Sequence, residues 1–261
     1  MLLKDRVALV YGASGAVGGA VAKAFAREGA RVVLAARRAE PLDMVASAIR
    51  VAGGRAEVAT VDVRDPGALA AHLAGITQAH GPVRVMFNAV SWDDVQGAPL
   101  SQMPVASVMA PVTLGLTTWL HTGSLLARHM GANGGGVILG ITANAGREPV
   151  ANVGGFGIAC AAVEHFLRQL AVENGPMGVR VCWVRSPGSP DAPGVREVWT
   201  EVAKERGISF EELHADFAKT TPLRKITALA QVADAAVLLA SDLAAGMTAT
   251  LANATGGSQI D

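Results

Sequence analysis

Tyrosine, lysine and cysteine are scarce in this 261-residue chain: Tyr11 stands alone, no lysine falls between Lys23 and Lys204, and the cysteines are Cys160 and Cys182. Two cysteines without motif spacing exclude a disulfide framework and give no reason to expect a metal, so a reducing, cytoplasmic compartment is the expectation. An excess of charge of one sign is missing too. Basic and acidic residues balance at 22 each with no basic run, which leaves nucleic acid or an anionic membrane little to hold. No apolar run is long enough to span a bilayer, and the opening "MLLKDRVALVYG" breaks at glycine too early for a signal-peptide apolar region. Linkers, repeats and low-complexity stretches are absent, so one domain over residues 1–261 is expected, with a small molecule as its partner.

What is present is a βα rhythm. "RVALVY", "RVVLAA", "AEVATV", "VRVMFN", "GVILGI" and "VRVCWV" are short β-branched runs separated by alanine-rich helical segments. Their lack of polar alternation implies burial on both faces. The predicted fold is therefore α/β, a Rossmann-type doubly wound, mostly parallel sheet with helices on both faces. Residues 189–221 interrupt the rhythm, because "SPDAPGV" gives way to charged helical pieces; this segment reads as an insertion beside the cleft, acting as a lid.

After the first strand, "YGASGAVGG" places Gly12, Gly15 and Gly18 at every third position, with Ser14 between them. Such glycines allow a tight turn, close approach of backbone to a pyrophosphate, and helix-on-strand packing, while the helix N-terminus supplies anion-binding N–H groups. The second strand ends with Ala36 where an acidic residue would hold a ribose hydroxyl, and Arg37 and Arg38 follow. That combination favours NADP(H) over NAD(H), the alternative being that the two arginines merely solvate a surface turn.

The whole chain, from about residue 5 to residue 257, resembles the short-chain dehydrogenase/reductase family. The resemblance rests on the glycine loop, on "VDVRD" with Asp62 and Val63 at the adenine side, on "FNAV" with Asn88 and Ala89, on "SPG" with Pro187 and Gly188, and on the closing helix, strand and glycine pair. It implies that these residues bind the cofactor. It also implies a catalytic tetrad of asparagine, serine, tyrosine and lysine, yet the equivalent positions here hold Gly115, Ala143, Phe156 and Cys160. In that family the tyrosine protonates the carbonyl oxygen as hydride arrives, and the lysine lowers its pKa from ~10. Phenylalanine cannot do this.

Replacement groups are sought among polar residues on loops at strand C-termini. Thr142, Asn144 and Asp191 are the leading catalytic candidates, with Trp92, Asp93, Asp94 and Glu148 behind them. Cys160 reads as a small buried hydrophobe, and His121 as a helix-packing residue. Three readings stay open: a reductase of acceptors that need no strong acid, such as iminium carbons or conjugated alkenes; a cyclase, isomerase or lyase; and a non-catalytic NADP(H)-binding protein. The resemblance further implies a homotetramer or homodimer paired through the long helices after the fourth and fifth strands. Gly157, Ala161, Ala162, Phe166 and Leu170 on the second of these would serve that contact.

Overall fold

The computed structural model describes residues 1–260. Its chain runs β1 (Val7–Tyr11), α1 (Ala16–Arg27), β2 (Arg31–Ala36), α2 (Ala39–Val51), β3 (Arg55–Thr60), α3 (Pro66–His80), β4 (Val83–Asn88), α4 (Val105–Ala132) and β5 (Gly136–Ala143). It continues through α5 (Phe156–Asn174), β6 (Val179–Ser186), α6 (Pro193–Glu205), α7 (Phe210–Thr220), α8 (Leu229–Ala240) and β7 (Thr250–Asn253).

These seven strands form one sheet in the order β3-β2-β1-β4-β5-β6-β7, and all its pairings are parallel, where a mostly parallel sheet is expected from sequence. The reason lies in the strand sequences. All five residues of β1 are buried, odd and even alike, so both faces must be covered by helices. One core forms where Val10, Leu34 and Phe87 meet Phe25 of α1 and Val237 of α8. The opposite core joins Leu9, Met86 and Ile138 to Leu73 of α3, Trp119 of α4 and Leu167 of α5.

The strand order reverses between β1 and β4, which opens a crevice at the strand C-termini; ligands of such sheets bind there. Residues 189–221 hold α6 and α7, whose sequences bury little: Ala203 and Leu213 are the buried positions of the two helices. They pack on each other through Trp199, whose ring lies 4.7 Å from Phe217 and 6.5 Å from Phe210. A capping box between Ser209 and Glu212 starts α7. No helix among the described residues is long and apolar enough to cross a membrane.

Candidate active site

The first cavity, about 310 Å³, lies over the ends of β1 and β2 and is lined by Gly12, Ser14, Gly15, Arg37, Arg38 and Asp62, among others. Its floor requires glycine. Gly12 has φ +72°, and a Cβ there would stand 2.3 Å from the Ala89 carbonyl oxygen; one on Gly18 would stand 2.3 Å from the Gly12 oxygen. Gly18 thus serves helix-on-strand packing. Gly15 meets nothing nearer than 3.4 Å and leaves the loop open above it. The α1 N-terminus carries no side-chain cap, which leaves its first N–H groups without a side-chain partner, as an anion site requires. The residues fit a dinucleotide.

Just after β3, the Asp62 carboxylate accepts from Arg64 at 2.6 Å (Nη2) and 3.0 Å (Nε), and from the Arg64 backbone N–H at 2.9 Å. Those bonds, chiefly from the guanidinium, hold the Asp62 carboxyl down at about 2. Arg64, which the sequence reading passes over, therefore lines the same cavity as Arg37, Arg38, Val63 and Asp93. His121 supports this wall from α4, its Nδ1 lying 2.9 Å from the Val63 carbonyl. Asn88 is occupied internally: Nδ2 donates to Thr122 Oγ1 at 3.0 Å, and Oδ1 accepts from the Val90 N–H at 3.0 Å. Its role is to fix the turn after β4, whose next residue Ala89 lines both cavities.

A second cavity of about 260 Å³ continues from Asn88 and Ala89 to Gly188, at the C-terminal ends of β4, β5 and β6. Phe156, Cys160, Ala143, Thr142, Trp92 and Asp94 are part of its lining. Phe156 and Cys160 both reach it because they are four apart at the start of α5. Burial pushes the Cys160 thiol up to about 12, so it stays protonated at neutral pH and is no nucleophile. Tyr11 lies fully buried on β1 and lines neither of these cavities.

Trp92 explains the glycine at 115. Its indole lies against α4 so closely that a Cβ on Gly115 would stand 3.3 Å from Cδ2 and 3.4 Å from Cε2. The ring is 7% exposed, and its centroid is 5.9 Å from that of Phe156. Asp93, with φ 49°, makes the left-handed turn that an aspartate tolerates; Asp93 lines the first cavity and Asp94 the second.

The sequence candidates separate in space. Thr142 lines the second cavity and donates to Glu164 Oε1 at 2.9 Å. Asn144 does not line it: Nδ2 donates to Ser258 Oγ at 3.2 Å and its carbonyl accepts from Gln259 Nε2 at 2.9 Å, so it anchors the C-terminal segment. Asp191 lies outside as well. Its carboxylate accepts the Leu229 N–H at 3.0 and 3.1 Å, satisfying a first-turn donor of α8. Glu148 is exposed beyond β5, and Pro187 lines neither cavity, while Ser186, Gly188 and Ser189 line the second.

Beneath Thr142 is a charge pair that sequence reasoning misses. Arg185 on β6 and Glu164 on α5 are 2% and 3% exposed, and Arg185 Nη2 stands 2.8 Å from Glu164 Oε2. Arg168, one turn on, reaches the same oxygen at 3.4 Å. Among the described residues, no group of three His, Cys, Asp or Glu side chains is placed to hold a metal ion.

The short chain dehydrogenase family profile matches residues 6–203. Cis-4-hydroxycyclohexanecarboxylate dehydrogenase of Sinomonas cyclohexanicum is 31% identical over 253 residues, covering 97% of this chain and 96% of that protein. A variant actinorhodin polyketide ketoreductase solved with NADPH superposes with a TM-score of 0.86 at 26% identity, over 97% of both chains. NAD+-bound xylitol dehydrogenase shares the fold alone, with a TM-score of 0.88 at 20% identity over 98% of this chain and 100% of that one.

Proposed function

The chain belongs to the short chain dehydrogenase family, and on that premise we propose that it is an NADP(H)-dependent oxidoreductase that reduces an activated acceptor, an iminium or conjugated alkene, without a tyrosine acid. The observation that carries this reading is the second cavity, whose described lining includes Phe156 and Cys160 and contains no tyrosine, lysine, arginine or histidine. A reduced nicotinamide, when bound, supplies hydride. An iminium carbon that receives it passes its C=N π pair to nitrogen and leaves as a neutral amine, so charge balances without a proton from the protein. Thr142, Trp92 and Phe156 are left to orient the acceptor and exclude water, and α6 with α7 serves as the lid. Following NADPH absorbance with matched ketone and iminium acceptors tests the reading; turnover of neither defeats it.

The cofactor preference follows from Ala36, Arg37 and Arg38. Both arginines are exposed at the rim of the first cavity, and no carboxylate stands at position 36 to repel a 2′-phosphate. NADPH is therefore expected to bind more tightly than NADH, and Arg37→Ala to weaken NADPH about ten-fold or more while leaving NADH unchanged, because a charge-assisted hydrogen bond contributes about 1.5–3 kcal/mol. Calorimetric titration of both nucleotides decides this, and equal affinities would refute it. The buried, unpaired cysteines accord with a cytoplasmic location.

A homo-oligomer is also proposed, and of the α5 residues expected from sequence Ala161 is exposed and Ala162 and Phe166 are partly exposed. Leu170 is buried, and a Cβ on Gly123 of α4 would stand 3.3 Å from both Leu170 Cδ2 and Phe166 Cε1, so Leu170 is taken up inside the subunit and Phe166 partly so. Gly157 is held against the Ala145 carbonyl. The large apolar residues that α4 and α5 leave outward are Val105, Met109, Leu120, Ile158 and Val172. Light scattering at micromolar concentration should give a dimer or tetramer, and Ile158→Lys with Val172→Lys should shift it toward monomer. A monomeric native protein contradicts the proposal.

A further inference from the structure

The second cavity has a polarity that hydride transfer alone does not call for. Of its described lining residues, Asp94 carries a carboxylate and none carries a positive charge. Gln96 Nε2 donates to Asp94 Oδ2 at 2.6 Å, which holds that carboxylate in place and leaves Oδ1 for a ligand. Thr142 adds acceptor character of its own. A hydroxyl has a single hydrogen, and Thr142 commits it to Glu164 at 2.9 Å, so only its lone pairs remain for a ligand. Glu164 in turn accepts from Arg185 Nη2 at 2.8 Å, which fixes its position. The remaining walls include two aromatic rings inclined at 45° with centroids 5.9 Å apart, Trp92 and Phe156. Ring faces attract cations, that of indole most strongly.

A neutral or anionic acceptor would find no donor from a basic side chain here. A cation would find two aromatic rings, a carboxylate, a hydroxyl that can only accept and the Ser189 hydroxyl, buried without a partner and able to accept, while the Trp92 Nε1–H, likewise unpartnered, stands as a donor. We propose that this cavity is a recognition site for a small organic monocation whose charge is carried on nitrogen, with the charge between Trp92, Phe156 and Asp94 and any N–H directed at Thr142. Resting on the reading of the chain as a reductase of activated acceptors, this narrows the class to iminium ions and the ammonium forms that their amine products take up with a proton from water. At about 260 Å³ the cavity is just below the common range of ligand pockets, about 300–1,000 Å³, so the cation is a small ring or short chain.

The test is equilibrium binding, independent of turnover. N-methylpiperidinium and the neutral 4-methyltetrahydropyran are titrated into the protein with and without NADPH, followed by calorimetry; neither probe can accept hydride. The cation is expected to bind about ten-fold more tightly. Asp94→Asn, at an exposed position, should weaken the cation about three-fold and leave the neutral ring unchanged, as expected for a solvent-screened charge pair. Phe156→Leu should weaken the cation about five-fold through loss of a ring face. Equal binding of the two probes, preference for the neutral one, or no cation binding at millimolar concentration overturns the proposal. Cation binding without reduction of any iminium would leave this site standing and remove the redox reading, whereas iminium reduction with equal binding of both probes would do the reverse.

Discussion

Arg185→Met should cost the fold about 3–5 kcal/mol, the penalty for leaving a buried charge without its partner. Arg185 and Glu164 are 2% and 3% exposed, so water cannot replace either one for the other. Glu164 would keep only the longer 3.4 Å contact to Arg168 and the Thr142 hydroxyl. Glu164→Leu alone should also destabilise the fold, because it removes the carboxylate that accepts from Arg185 Nε at 3.2 Å and Nη2 at 2.8 Å. The double variant should recover much of the loss, because two apolar side chains of similar volume remove the desolvation penalty together with the attraction. Urea denaturation of the two single variants and the double variant measures this as a double-mutant cycle. Single variants within about 1 kcal/mol of the parent would show that the pair is not buried as described.

That pair also shows why parts of this site are hidden from sequence. Glu164 and Arg168 sit in "AAVEHFLRQLAVE", where charges one turn apart read as a solvated helix face; only the arrival of Arg185 from β6, in the sheet register opposite Thr142, buries Glu164. Trp92 and Gly115 are hidden in the same way. Their contact joins the loop after β4 to the middle of α4, and no local periodicity links an indole to a glycine that far along the chain. The strands and the glycine loop are legible because their physics is local: continuous apolar runs require a sheet covered on both faces, and Gly12 cannot bear a side chain where β1 turns toward Ala89. Asp191 and Asn144 mark the opposite limit. Polar residues at strand ends are read as available for chemistry, but the N-terminus of α8 and the C-terminal segment take up their hydrogen bonds first.

The largest functional effect expected is in acceptor choice: with NADPH, a cyclic iminium should be reduced at least about a hundred-fold faster than the ketone of the same ring, since general acid catalysis is worth about 10²- to 10⁴-fold. Hydride addition to a ketone leaves a localised alkoxide that needs a donor at oxygen, and the cavity offers it none at Ala143, Phe156 or Cys160. Addition to an iminium removes charge instead. The carboxylate of Asp94 and the ring faces favour the cationic ground state to some degree, which lowers KM more than it raises kcat. Adding hydroxyls tests the cause. Phe156→Tyr with Ala143→Ser should raise ketone reduction about ten-fold or more while leaving iminium reduction nearly unchanged. Adding Cys160→Lys is expected to cost stability, because position 160 is wholly buried and an ammonium there must be desolvated, with Glu164 one turn away already committed to Arg185. Stopped assays on the parent and both variants, normalised to folded protein, separate these effects. Ketone turnover by the parent equal to its iminium turnover would show that an acid acts in this cavity after all. Ser189 is then the first group to examine, since its hydroxyl lines the cavity and is buried without a partner, whereas Thr142 has committed its hydrogen to Glu164.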